Sequence, residues 1–274
     1  MIKLLNAGFT RLKKNKTFWL LCTFSIGLAM IILFSQYNQM ITYDSNIEIE
    51  QLLLNYSPII GIIIAIFTSL FLGAEHSEGA IRNKISIGHK RTNIYLSNLI
   101  IITITSILAN LLFIIVTAAI GIPLFGGITM EFTKLLSLLG CSFITVVAYA
   151  SIFTYLAMII SNKTINAIVS IMIAFGLMMV ALTCFNILNA PPTIQQATMT
   201  NGETKVVEIP NPKYPSEQKK KIIQTLIDIN PTGQMYQIVG RTFSNLKVLS
   251  LYSVCIIIVF TGTGLVIFKK KELK

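Results

Sequence analysis

The side chains best suited to chemistry in this 274-residue chain crowd into one stretch, where Glu75, His76, Glu78 and His89 lie close together. Carboxylates beside imidazoles can hold a metal ion or pass a proton. Glu75, His76 and Glu78 could suggest a metal site, but no fourth ligand appears at a sensible spacing, so they read as the solvated groups of a connecting loop. His76 and His89 are the only histidines, which leaves a Ser/His hydrolase without a base inside any apolar segment. No HExxH occurs, and the nearest approach to a phosphate-binding loop, GIPLFGG at Gly121–Gly127, lacks the lysine. Cys22, Cys141, Cys184 and Cys255 have no metal spacing and no secreted-disulfide pattern. Buried free thiols are expected, with a Cys184–Cys255 bridge as the alternative. The sequence therefore offers no catalytic, cofactor or metal site of its own.

The elements around this stretch are unusually apolar. Residues of the AVILMFWYC class make up 54% of the chain and charged residues 12%. A soluble domain of this length could not bury that much apolar surface. The apolar residues come in six long runs, 17–38, 56–74, 94–121, 135–160, 165–188 and 248–268. At ~1.5 Å per residue each run can cross a ~30 Å hydrocarbon core. The fold class expected is all-α: a polytopic membrane protein with six transmembrane helices. The first run is longer than a signal-peptide core and lacks a cleavage pattern, so it reads as a retained span.

Charge orients the spans. Lys3, Arg11, Lys13, Lys14 and Lys16 precede the first span without an acid. Arg82, Lys84, Lys90 and Arg91 follow the second, Lys163 follows the fourth, and Lys269, Lys270, Lys271 and Lys274 follow the sixth. The first opposite loop holds Asp44, Glu48 and Glu50 and no base. The positive-inside bias predicts both termini in the cytoplasm. The net charge of +11 is then a topology signal; the basic residues flank spans instead of forming one nucleic-acid patch. No charged residue is expected inside a span, which argues against a proton-coupled carrier or an ion pump. Asn110, mid-span, is the candidate polar residue of a translocation path; an ordinary interhelical hydrogen bond is the competing reading.

Two segments on the basic side invite a partner. In Met1–Lys16, Ile2, Leu5, Phe9 and Leu12 share one sector of a helix, which predicts an interfacial helix. In the 75–93 loop, Gly79 permits a sharp change of direction, a short helix spans about Ala80 to Ile87, and Gly88 caps it. Ile81 and Ile85 share a face, and Glu78 and Arg82 are spaced i,i+4. Small apolar residues amid mixed charge suit docking into a protein cleft.

This loop resembles that of type-2 ABC exporter permeases, in particular bacterial permeases of antibiotic and bacteriocin resistance. Those show an acid, Gly-Thr, Ile-Arg-Asn-Lys, a glycine, a basic pair and Ile-Tyr-Leu-Ser. The chain has Glu78-Gly79-Ala80-Ile81-Arg82-Asn83-Lys84, then Gly88, Lys90-Arg91 and Ile94-Tyr95-Leu96-Ser97, departing at Ala80 where threonine is usual. The resemblance implies one transmembrane permease domain over 1–274, in the bacterial plasma membrane. It implies a coupling helix over Glu78–Gly88, with Ile85 included, docking on a separate ABC ATPase subunit. ATP and magnesium would bind that partner and not this chain. It also implies a second permease copy or a homologous permease, and it makes Met1–Lys16 the elbow helix.

The 189–247 segment is expected outside the cell. Thr193–Pro215 reads as a loop or short strands. Ser216 caps an amphipathic helix with Ile222, Leu226 and Ile229 in one stripe, flanked by Ile223 and Ile227, and Asn230-Pro231 ends it. Met235, Ile238, Val239 and Phe243 form a second apolar set. The chain is thus expected to be the permease subunit of an ATP-driven exporter, of an antimicrobial peptide or lipophilic antibiotic by the resemblance alone. A membrane scaffold or immunity protein that binds a peptide without ATP is the alternative, and a secondary carrier the third.

Overall fold

A computed structural model describes residues 1–44, 46–200, 203–212 and 214–271. Ser45, expected on the outer face, and Glu272 and Lys274 of the basic tail lie outside the described residues. The elements in order are α1 (Ile2–Lys14), α2 (Lys16–Tyr43), α3 (Ile49–Leu54), α4 (Ser57–Ser77), α5 (Ala80–Ser86), α6 (Arg91–Phe125), α7 (Phe132–Ile159) and α8 (Lys163–Leu188). They continue with β1 (Thr193–Thr200), β2 (Glu203–Pro210), α9 (Glu217–Ile229), α10 (Pro231–Gly240) and α11 (Leu246–Lys270). Among the described residues six helices are long and apolar enough to cross a membrane, each centred on one of the six sequence runs. The protein is an all-α polytopic membrane protein.

α4 and α7 are the most enclosed spans, whereas α2, α8 and α11 expose most of their apolar surface, as lipid-facing helices do. Close approach is achieved where an aromatic ring covers a glycine. Tyr149 lies over Gly61 of α4, where a Cβ would meet the ring at 2.6 Å. Tyr95 of α6 occupies the space beside Gly264 of α11 in the same way. Tyr56 stacks on Phe113 at 4.6 Å between centroids and meets Ser25 Oγ at 3.2 Å, which joins α2, α4 and α6.

The polar stretch after α8 forms an antiparallel hairpin, β1 with β2, pairing Ile194 with Ile209. Asn211 closes its base by donating to Pro191 O at 2.8 Å. α9 and α10 then make a helical hairpin that enters the bundle from the face opposite the termini. Asn230 caps α10 by accepting from Thr232 N at 2.9 Å, and its Nδ2 donates to Leu177 O at 2.8 Å, near the midpoint of α8. Met235 and Ile238 are buried as the second apolar set predicts, with Val239 and Phe243 packed beside them. In α9 the assignment divides: Ile223 and Ile227 pack on Cys184 and its neighbours, while Ile222, Leu226 and Ile229 stay exposed. All four cysteines are free, with Cys184 buried and Cys255 exposed.

The expectation of charge-free interiors needs correction. Glu50 and Glu75 are each 1% exposed and Asp228 is 9%. α4 runs past the predicted span end and draws Glu75 inside, and the α9–α10 hairpin buries Asp228 two residues before Asn230, which bonds α8.

Candidate coupling site on the termini face

The site starts at the end of α4. Glu78 caps that helix and Gly79 follows at φ +69, a left-handed conformation that glycine adopts without strain. The chain turns there into α5. At the other end Gly88 has φ +90, Gly88 N donates to Ile85 O at 2.9 Å and His89 N to Lys84 O at 3.1 Å. This pair of bonds is a Schellman cap. Both glycines do what the sequence predicts, and they delimit a helix of 7 residues.

Behind α5 lies a charge cluster centred on Glu75. Its Oε1 is 2.7 Å from Arg11 Nη1 of α1 and 2.8 Å from Lys84 Nζ of α5, and its Oε2 accepts from Asn98 Nδ2 of α6 at 3.0 Å. The Arg11 contact is an ion pair without hydrogen-bond alignment; Arg11 instead donates through Nη2 to Phe71 O at 3.2 Å and lies over the Phe71 ring at 4.9 Å. One buried carboxylate thereby ties four elements. A lone buried charge costs several kcal/mol, and two cations with an amide offset it. The metal reading of this stretch fails for the same reason: Glu75 is already occupied by cations. Among the described residues no group of three metal-type ligands occurs.

The far ends of the spans are tied to the same layer. Arg91 at the start of α6 donates to Phe268 O at 3.4 Å, Lys269 O at 3.3 Å and Lys271 O, satisfying carbonyls that the end of α11 leaves open. Lys271 Nζ donates to Met158 O at 3.0 Å at the end of α7. Burial pushes the Lys271 ammonium down to about 8.

The predicted site residues separate into two sets. Ile81 is 1% exposed and Ile85 half-buried, both packed into this chain's own core. Ile81 is therefore not free to plug a partner's cleft. Lys84 is held by Glu75, and Ala80 is half-buried. Glu78, Arg82, Asn83 and Gly88 face outward, and they are joined by Ser86 and by Ile87, which is 78% exposed. The i,i+4 pair does not form: Glu78 lies 3.8 Å from Arg11 instead. In α1 the buried stripe is Leu4, Gly8 and Leu12, with Leu5 and Phe9 half-buried and Ile2 exposed. Gly8 admits the Ile101 side chain of α6 where a Cβ would stand. Asn110 is 2% exposed and its Nδ2 has no partner among the described residues, so that nitrogen makes no interhelical hydrogen bond.

Sequence reasoning missed Glu75, Asn98 and Ile87. The available signal was a glutamate one residue beyond an apolar run, with Arg11 and Lys84 as free cations on the same side.

A six-span bundle with an amphipathic N-terminal helix and a short, capped helix between its second and third spans defines a class of membrane permease. Residues 4–181 match the ABC-2 family transporter protein family. That is more than half of the chain, which belongs to this family and is the multi-pass permease subunit of an ABC transporter. No curated protein matches the sequence.

Proposed function

We propose that the chain forms the translocation path of an ATP-driven exporter in a bacterial plasma membrane, with both termini cytoplasmic and α5 docked on a separate ATPase subunit. ATP and magnesium bind that subunit. The carrying observation is the mounting of α5. It is bounded by Gly79 and Gly88, presents Arg82, Asn83, Ser86 and Ile87 outward, and is tied through Lys84 and Glu75 to α1 and α6. A push on such a helix moves several elements together. The exposed apolar Ile87 suits a cleft in the ATPase, where burial stabilises at roughly 25 cal/mol per Å². Two permease copies enclose the path, and the resemblance at Glu78–Lys84 favours an amphipathic antimicrobial as cargo.

The test is co-purification with an ABC ATPase subunit co-expressed with this chain, together with transport. Ile87→Asp should insert and fold but lose the ATPase and the transport. Ile81→Asp should lose stability first, because its carboxylate enters the chain's own core. An Ile87→Asp protein that keeps its ATPase and transports at the wild-type rate would make α5 an ordinary connector. Outside labelling of a cysteine at Ser86 in intact cells would overturn the orientation.

A further inference from the structure

The α9–α10 hairpin contains a buried carboxylate beyond Glu50 and Glu75, and this one forms no ion pair among the described residues. α9 begins at the surface with Lys219, Lys220 and Lys221 and runs inward. Asp228 sits two residues before Asn230, which bonds the middle of α8 through Leu177 O. Asp228 is 9% exposed. Its Oδ1 accepts from Gln224 Nε2 at 2.8 Å and from Gln237 Nε2 at 2.9 Å. Both amides take the same oxygen, and among the described residues no Lys, Arg or His forms an ion pair with the carboxylate.

A buried carboxylate without a counter-charge costs several kcal/mol, and a cation that reaches it offsets that cost. Two neutral amides orient the group without cancelling its charge. A cation from outside the chain would supply the balancing charge. The next residue in the chain, Ile229, is 47% exposed, an apolar surface for a hydrocarbon or lipophilic body. We propose that Asp228 is the seat for the cationic group of the transported amphiphile, a primary or quaternary ammonium joined to an apolar tail. This rests on the permease reading above and adds its substrate class.

The experiment uses the full chain in lipid nanodiscs and two fluorescent probes of equal chain length, an alkylammonium and its uncharged amide. Wild type should bind the cation at least about tenfold more tightly, as a charge-assisted contact requires. Asp228→Asn retains an acceptor for Gln224 and Gln237, so it should fold and bind the neutral probe unchanged while losing the cationic preference; Asp228→Glu should keep the preference. A second readout needs no variant: a hydrophobic carbodiimide should modify Asp228 in wild type, and the cationic probe alone should protect it. Absence of a cationic preference in wild type, its survival in Asp228→Asn, or equal protection by both probes would overturn the proposal. Co-purification of the ATPase is scored in parallel. If it fails while the charge preference stands, the ATP-driven reading falls and the Asp228 seat remains.

Discussion

Glu75, at the termini end of α4, and Asp228, on the hairpin that enters from the opposite face, are both buried carboxylates, and their surroundings differ. Glu75 is held by Arg11, Lys84 and Asn98 from three other elements. Asp228 is held by Gln224 from its own helix and Gln237 from the next. The first arrangement cancels charge and joins parts that are far apart in sequence. The second orients a charge and leaves it uncancelled. A balanced cluster gains nothing from a further ion and suits the transmission of force; an unbalanced one is stabilised when a cation arrives. The same side-chain chemistry thus gives the two sites a different charge balance.

Removing the balanced carboxylate should have the largest effect. Glu75→Ala leaves Arg11 and Lys84 in a partly buried cluster without their anion, and loss of one partner of a buried pair costs about 3–5 kcal/mol. Thermal unfolding in nanodiscs should show this as the steepest drop of any variant considered. A fall no larger than that of a surface substitution would mean that the cluster does not hold α1, α5 and α6 together, and the contrast with Asp228 would collapse.

On the opposite face the limiting feature is packing. A Cβ on Gly233 would stand 2.3 Å from the carbonyl oxygen of Ile227, so Gly233→Ala must open the α9–α10 hairpin. Overpacking of this kind costs about 1–3 kcal/mol, and unfolding should register it. Because the hairpin positions Asp228, the cationic preference should weaken in the same variant. Asn230→Ala should cost less, about 1 kcal/mol for the lost cap, measured the same way.

How much of this was legible in the sequence follows from the range of each interaction. The six spans were legible because a bilayer demands long apolar runs, and Gly79 and Gly88 because a left-handed residue leaves a local signature. The exposed side of α5 was not. Ile81 and Ile85 share a face as their spacing predicts, but spacing alone does not say whether that face meets the chain's own core or a partner. Glu75 fell one residue beyond an apolar run and read as solvated, since its partner Arg11 sits on a helix far away in sequence. The stripe of α1 was misjudged because Gly8 counts as nothing on a hydrophobicity pattern, yet its missing side chain is what lets Ile101 approach. Asp228 is not singled out by the sequence, where three lysines precede it in the same helix. Nothing local reveals that the helix runs inward.

The smallest expected effect sharpens the termini face. Lys271 is half-buried and bonded to Met158 O, and burial lowers its pKa from 10.5 to about 8. Below about pH 8 both the folded and unfolded chains carry this proton, and the folded state bears the cost of a partly desolvated ammonium. Between that value and 10.5 the unfolded chain binds more protons than the folded one, so the contribution of Lys271 to stability rises with pH. The neutral amine still donates to Met158 O, so the end of α7 keeps its partner. Water reaches the exposed half of the side chain and screens the effect, which should amount to about one or two degrees in Tm. The measurement is Tm against pH from about 7 to about 10 for wild type and Lys271→Met, because other lysines and tyrosines titrate in the same window and only the difference isolates this group. Wild type should gain on Lys271→Met as pH rises. A difference that is flat, or of the opposite sign, would show that the ammonium is as well solvated in the folded protein as in the unfolded chain. The end of α11 would then be no part of the layer that Glu75 organises.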